Sequence, residues 1–305
     1  MNAVEYLEQT FQFKTLNAQK ALRTVLRIWL GFLGETKLVD ATTQDAIVFL
    51  AELKRARLAD RTVKQRYQLL RAMYNVLLRG QYVEKNIFIQ LVDLMPRRQS
   101  HEVRPTRMLT CDEVLKILNA PDPASHPGVR DRALLAVLFG AGLRRSEARK
   151  LNLADIRFDG EKHPYLFLRQ AKAGVDQRAA IGPWVLAALS DLLSQRRGDG
   201  AGPDDPLFCF YFISNKARGR LSDRTIARIF QRHAVAAGIV GQIAPHSARA
   251  TAASTLIDLG IGDRAVAEFL RHASVEMVRV YDRRAFGPRS SPARRLDYRK
   301  KAVNE

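Results

Sequence analysis

Residues Pro245–Tyr281 read PHSARATAASTLIDLGIGDRAVAEFLRHASVEMVRVY. His246 and Arg249 stand three residues apart, an interval that puts both side chains on one face of a helix. His272 follows, and Tyr281 lies nine residues beyond it. Arginine offers a planar fork of donors that matches phosphate oxygens. Histidine gives or takes a proton near neutral pH. Tyrosine can serve as a covalent nucleophile where its phenolate is stabilised. Gathered in one place, these are the parts needed to attack a phosphodiester. Singly, each has an ordinary explanation: a helix-start histidine, a core histidine, a packed aromatic.

Upstream of this stretch the pattern is helical with one break into strands. Thr110 and Glu113 form a capping box ahead of an apolar run. GVRDRALLAVLFGAG reads as a buried helix ending near Gly142, followed by LRRSEARK as a turn into a helix. A strand is expected at Ile156–Phe158, and YLFLRQAK (165–172) with QRAAI (177–181) reads as a pair around AGVD. WVLAALSDLLSQR and RTIARIFQRHAVAAG, the latter capped by Ser222, are helices, as are about 246–259, 263–272 and 275–283. Nearer the start, residues 1–33 read as two helices, with Leu22, Val25, Leu26 and Trp29 at helical spacing. Thr42 or Thr43 caps a third helix, and Asp60 caps a fourth that Gly80 ends at its C′ position. Lys54, Arg55, Arg57, Arg61, Lys64, Arg66 and Arg71 cluster around the turn between these last two, a basic face suited to DNA phosphates or to plain solvation.

MPRRQSHEVRPTR (95–107) holds prolines and arginines without apolar periodicity and reads as a linker. The expected organisation is a helical bundle over 1–95, a basic linker over 96–108, a mainly helical domain with a small antiparallel sheet over 109–286, and a basic tail over 287–305. The fold class is therefore mostly α.

Fifty Lys and Arg against 31 Asp and Glu leave a formal charge of +19, which favours a polyanionic partner and leaves nucleic acid, ribosome and acidic lipid open. No apolar run reaches the roughly 18 residues of a membrane helix, so no membrane role is expected. MNAVEYLEQTFQFK carries acids and lacks an apolar core, so it is not a secretory signal, and a cytoplasmic protein is expected. Cys111 and Cys209 lie far apart without a CxxC, which argues against a disulfide framework or zinc site and for two buried, inert thiols. There is no Walker loop and no carboxylate metal cluster, so neither cofactor nor metal is expected.

The order GLRRSE (142–147), Lys172 between two strands, His246-x-x-Arg249, Leu270-Arg271-His272 and Tyr281 resembles the tyrosine recombinase family of phage integrases and Xer-type site-specific recombinases. The resemblance runs from about Thr110 to Arg284. The helical first domain carries no motif of its own but suits the SAM-like, core-binding domain of that family. The resemblance implies roles. Arg144 and Arg249 clamp the non-bridging oxygens of the scissile phosphate, Lys172 protonates the leaving 5′ oxygen, and His246 and His272 bond the phosphate and aid proton transfer. Tyr281 attacks, giving a 3′-phosphotyrosine that a 5′-hydroxyl from a partner strand reverses without metal or ATP. It also implies double-stranded DNA with paired, inverted half-sites, a homotetramer on two duplexes from a free monomer or dimer, and a place beside the nucleoid.

Rival assignments stand beside these. Lys162 lies near Lys172, and Tyr298 is the downstream tyrosine other than Tyr281. Arg144 can equally pair with Glu147 on a helix surface, and Glu147 is expected to support the site rather than touch DNA. The chain departs from the family where Ala248, Ala250 and Arg271 replace the usual Leu, His and Gly; Arg271 either adds a phosphate contact or alters its turn. A relaxing enzyme of the type IB topoisomerase kind and a non-catalytic DNA-binding regulator are the competing readings; the intact set of six residues argues against the second.

Overall fold

The computed structural model describes residues 1–94, 107–160, 163–169, 175–211, 217–241, 243–272 and 274–278. The chain divides into two compact units, Met1–Val103 and Arg104–Glu305.

The first unit is a bundle of α1 (Ala3–Phe11), α2 (Leu16–Leu33), α3 (Thr43–Arg55) and α4 (Asp60–Arg79), followed by a 3-10 turn at Ile89–Leu94. Asn2 and Thr42 each close a capping box, with Glu5 and Asp45, so two of the helix starts have their orphan N–H groups satisfied by side chains. The apolar stripe of α2 is buried as its spacing predicts. At its centre Trp29 is fully buried, with its ring edge-on to Phe49 and Phe88. Its Nε1–H donates to Tyr74 Oη (3.1 Å), whose own hydroxyl donates to the Leu38 carbonyl (2.9 Å). Three segments are thereby joined without an unsatisfied buried donor.

Two expected caps come out differently. Asp60 is the first helical residue of α4, and the N-cap is Ala59, which makes no capping bond. Gly80 ends α4 at φ −80, and the left-handed residue is the next one, Gln81. Glycine at 80 leaves room for a neighbour instead: a Cβ there would stand 2.6 Å from the Tyr6 ring of α1, which would have to shift. The seven basic residues run from the end of α3 into α4; Lys54, Arg55, Arg57, Arg61 and Arg71 are exposed, Lys64 and Arg66 half-buried.

The second unit begins with α5 (Cys111–Asn119), capped by the Thr110–Glu113 box, and α6 (His126–Gly140). Then come α7 (Arg145–Lys150), β1 (Ile156–Asp159), β2 (His163–Leu168), β3 (Gln177–Ala180) and α8 (Pro183–Gly198). The rest is β4 (Cys209–Tyr211), β5 (Ala217–Arg220), α9 (Asp223–Ala236), α10 (Pro245–Asp258), α11 (Asp263–Leu270) and a 3-10 turn at Val275–Met277.

Every residue from Ala133 to Phe139 of α6 is buried, so this helix is apolar on all sides and the others pack around it, α8 and α10 foremost. Its one buried acid, Asp131, is satisfied by Arg130 (2.6 Å), Arg232 (2.5 Å) and His233 (2.8 Å), which tie α6 to α9.

β1, β2 and β3 form an antiparallel sheet in sequence order, with Leu166 opposite Ile156 and Ala179. Leu166, Leu168 and Ala179 face the core, while Arg157 and Arg178 lie over Phe167 and Tyr165 on the other side. The paired strands β4 and β5 were not expected; at three and four residues, with a register shift at Cys209/Phe210, they carry too little alternation to be read. Cys209 is buried, and burial pushes its thiol up, but Cys111 is exposed at the first turn of α5, contrary to the expectation of two buried thiols. Among the described residues no helix is long and apolar enough to cross a membrane.

Trp29→Ala should cost about 3–5 kcal/mol in the unfolding of the first unit, because it opens a cavity and strands the Tyr74 hydroxyl. Urea denaturation of the full chain followed by circular dichroism measures it; a loss below about 1 kcal/mol would contradict this packing account.

Candidate active site

The chain reaches the site through a turn that only glycine suits. After α6, Gly142 adopts φ +54, and a Cβ on it would lie 2.9 Å from the Phe269 ring. Its carbonyl is thereby aimed at the guanidinium of Arg249, which donates to it and also to the carbonyl of Leu270 at the end of α11. Arg249 is 1% exposed and sits one turn inside α10, so one buried side chain fixes the loop before α7 and the end of α11 together. Arg144 follows that loop as the N-cap of α7, and His246 stands exposed in the first turn of α10, behind Pro245. Arg144, His246 and Arg249 line one cleft of about 380 Å³, with Leu143, Ala244 and Pro245 in its walls.

Glu147 braces this arrangement from beneath. Its Oε1 accepts from Arg144 Nη1 (2.6 Å), and its Oε2 accepts from the Arg144 backbone N–H (2.8 Å) and from Arg271 Nη2 (3.1 Å). Burial acts to raise the Glu147 carboxyl, but the charges of Arg271 and Arg144 and the Arg144 hydrogen bonds outweigh it, holding the group below the usual carboxylate range. Arg144 does pair with Glu147 at i+3, as the plainer sequence reading allowed, yet its side chain stays 27% exposed and keeps a face on the cleft.

Arg271 ends α11 in the left-handed region (φ 55) and turns its side chain inward, 5% exposed, so the phosphate contact considered for it is replaced by the bond to Glu147. His272 follows at once; its backbone N–H closes α11 on Ala267 (2.9 Å), and its side chain is half-buried. It does not line the Arg144 cleft, but it lies two residues from the carbonyl that Arg249 holds. Lys172, its rival Lys162, Tyr281, Tyr298, the tail 287–305 and all of the linker but its last residues fall outside the described residues.

Although His246 is exposed at the surface, its ring is partly desolvated by the cleft, and this first, then the positive charges of Arg249 and Arg144, holds the imidazole below its ordinary value. Both effects favour the neutral, proton-accepting form of the ring. A second, basic groove of about 640 Å³ escaped the sequence reading: Arg149, Lys150, Arg169 and Arg220 line it beside Asn152 and Asp176. Arg220 is anchored on the Arg149 and Leu151 carbonyls (2.7 and 2.8 Å). Its signal was weak because these residues come from four separate segments. Among the described residues no group of His, Cys, Asp and Glu is gathered as a metal site.

These features sit where comparison with known proteins also leads. The model of the phage integrase family matches residues 107–287, and the chain belongs to that family, the tyrosine recombinases. A tyrosine recombinase XerC of Oceanobacillus iheyensis is 30% identical over 266 residues, 86% of this chain and 84% of that protein. Among solved structures, the XerH site-specific recombinase bound to a palindromic difH substrate in a post-cleavage complex is similar with a TM-score of 0.71 at 19% identity, over 87% of this chain and 76% of that one. A lambda integrase tetramer bound to a Holliday junction is similar with a TM-score of 0.68 at 20% identity, over 92% of this chain and 76% of that one. At these identities the two structures speak for the fold alone.

Because Arg144 is one of the two positive neighbours that depress His246, Arg144→Ala should raise the titration midpoint of that imidazole, read by NMR with His246→Gln to assign the signal. An unchanged midpoint would mean that the two groups do not share the cleft.

Proposed function

We propose that the cleft holds the scissile phosphate of a DNA duplex and that the chain breaks and rejoins DNA through a phosphotyrosine. The observation that carries this is the convergence of Arg144, His246 and Arg249 on one cleft, in a chain of the phage integrase family. Arg144 and Arg249 bind the non-bridging oxygens, where charge accumulates as the nucleophile adds. His246, exposed and shifted toward its neutral form, bonds the phosphate and takes a proton as Tyr281 becomes a phenolate; His272 bonds the phosphate from the end of α11. The Tyr281 oxygen forms a bond to phosphorus and the bond to the 5′ oxygen breaks, with Lys172 supplying the proton that this oxygen takes up. A 5′-hydroxyl from a second duplex then attacks the phosphotyrosine and releases Tyr281. The ester conserves the bond through strand exchange, so no nucleotide is consumed and the cationic clamp does the work a metal does elsewhere.

Substrate and assembly follow the same reading. The DNA carries paired, inverted half-sites, the active assembly is a homotetramer on two duplexes formed from monomers or dimers, and the protein works at the nucleoid in the cytoplasm. Residues 1–95 bind DNA through the basic stretch from Lys54 to Arg71, the linker 96–108 tracks its backbone, and residues 109–286 carry the chemistry. The groove of Arg149, Lys150, Arg169 and Arg220 adds phosphate contacts.

Tyr281→Phe keeps the ring and removes the attacking oxygen, so it should bind a nicked suicide duplex normally and form no covalent adduct on a denaturing gel; an adduct at normal yield would end the assignment. Arg144→Lys or Arg249→Lys keeps charge but loses the fork, and each should slow cleavage by about 10²–10³. Cleavage within about tenfold of wild type would reduce these arginines to DNA positioning.

A further inference from the structure

Arg271 occupies a position that nothing in local chain chemistry favours. Its backbone is left-handed (φ 55, ψ 47), which costs a residue with a Cβ roughly 1–2 kcal/mol relative to glycine. Its guanidinium is buried, and burial lowers the basicity of the group. Among the described residues its Nε has no hydrogen-bond partner. A residue so placed does not serve stability alone, since removing a charge from the interior is often neutral or better.

The contacts show what the side chain joins. Nη2 donates to Glu147 Oε2 (3.1 Å) and Gly142 O (3.3 Å), and Nη1 donates to Phe269 O (2.8 Å) and Ala141 O (3.4 Å). Ala141 and Gly142 are the loop that delivers Arg144, and residue 271 itself immediately precedes His272. Glu147 is thus gripped from both ends: Arg144 on Oε1, Arg144 N–H and Arg271 on Oε2. With one carboxylate oxygen held, the other is fixed in the direction from which it orients the Arg144 guanidinium.

We propose that Arg271 is a positioning residue for catalysis, setting the Arg144 guanidinium through Glu147 and locking the Arg144 loop to the segment that carries His272. This rests on the reading of Arg144 as a phosphate clamp. The other charged group acting on Glu147 is Arg144 at the head of α7, and His246 and Arg249 of α10 line the cleft together with Arg144. Arg271 is the first of the charges that offset burial at Glu147, so without it the carboxyl titrates higher. The sign is definite: Glu147 protonates at a higher pH, and Arg144 loses its brace there.

The test is single-turnover cleavage of a nicked suicide duplex by the full-length chain, with DNA affinity measured in parallel. Arg271→Gly suits the left-handed backbone and should fold. It should lower the cleavage rate at saturating DNA by about tenfold to a hundredfold, leave affinity within about threefold, and move the acid limb of the pH–rate profile upward. Arg271→Lys, which keeps a charge toward Glu147, should recover the acid limb and part of the rate. In a Glu147→Gln background, Arg271→Gly should cost clearly less than in wild type and leave the acid limb unmoved, because only its bonds to the Ala141 and Gly142 carbonyls remain to be lost. A rate within twofold of wild type with an unmoved acid limb overturns the proposal. So does an equal loss in both backgrounds with an unmoved limb, which marks a merely structural residue. Arg144→Ala is run alongside: if it too cleaves normally, the clamp reading itself has failed; if it is inactive while Arg271→Gly is not, only the role of Arg271 falls.

Discussion

One carboxylate governs the geometry of this site. Glu147 is buried, and its two oxygens are divided between Arg144 and Arg271, so a single side chain determines where two guanidinium groups can be. A buried ion pair of this kind adds little net stability, because desolvation consumes most of the Coulombic gain, but breaking it leaves a charge stranded. Its value is directional. Arg249 complements it by drawing the carbonyls of Gly142 and Leu270 to one guanidinium, which fixes the two chain segments that Glu147 then bridges. The fold supplies the rigid floor for both: α6 is buried throughout Ala133–Phe139, and the Arg144 loop leaves directly from its end.

The electrostatic consequence concerns the phosphate. Arg144 and Arg271 share the carboxylate of Glu147, Arg249 adds a third guanidinium beside the cleft, and His246 is shifted toward its neutral form by partial burial and by the charges of Arg249 and Arg144. Among the described residues the cluster therefore carries surplus positive charge. On the proposed function a phosphodiester brings one negative charge and gains another as a phenolate adds, which this surplus offsets most fully at the transition state. Preorganisation of that surplus by buried hydrogen bonds avoids reorganisation at the moment of reaction. On the proposed function the basic groove of Arg149, Lys150, Arg169 and Arg220 would serve binding along the backbone rather than chemistry.

Much of this was legible in the sequence because it depended on local rules. The Thr110–Glu113 and Thr42 caps, the apolar stripe of α2, and the spacing of His246 and Arg249 are short-range patterns, and the elements form where those patterns lie. What failed depended on distant partners. Gly80 looked like a left-handed cap but makes room for Tyr6, some seventy residues away in the chain. Cys111 was read as buried on composition alone, whereas its place on the solvent side of α5 follows from which face of that helix packs. Arg271 was visible only as an anomaly in a glycine position; its inward turn depends on Glu147, on another helix. The roles of Lys172 and Tyr281 rest on the order of motifs along the chain.

The central claim is that Arg144 acts on the negative charge of the scissile phosphate. Replacing one non-bridging oxygen of that phosphate by a methyl group removes the charge and leaves the duplex otherwise intact. Single-turnover cleavage of the methylphosphonate and ordinary duplexes should then be compared in wild-type and Arg144→Ala proteins. The account predicts that the penalty for losing Arg144, about 10²–10³ on ordinary DNA, falls to within about tenfold on the neutral analogue, since there is no longer a charge for the guanidinium to offset. An equal penalty on both substrates would contradict it and leave Arg144 as a structural partner of Glu147.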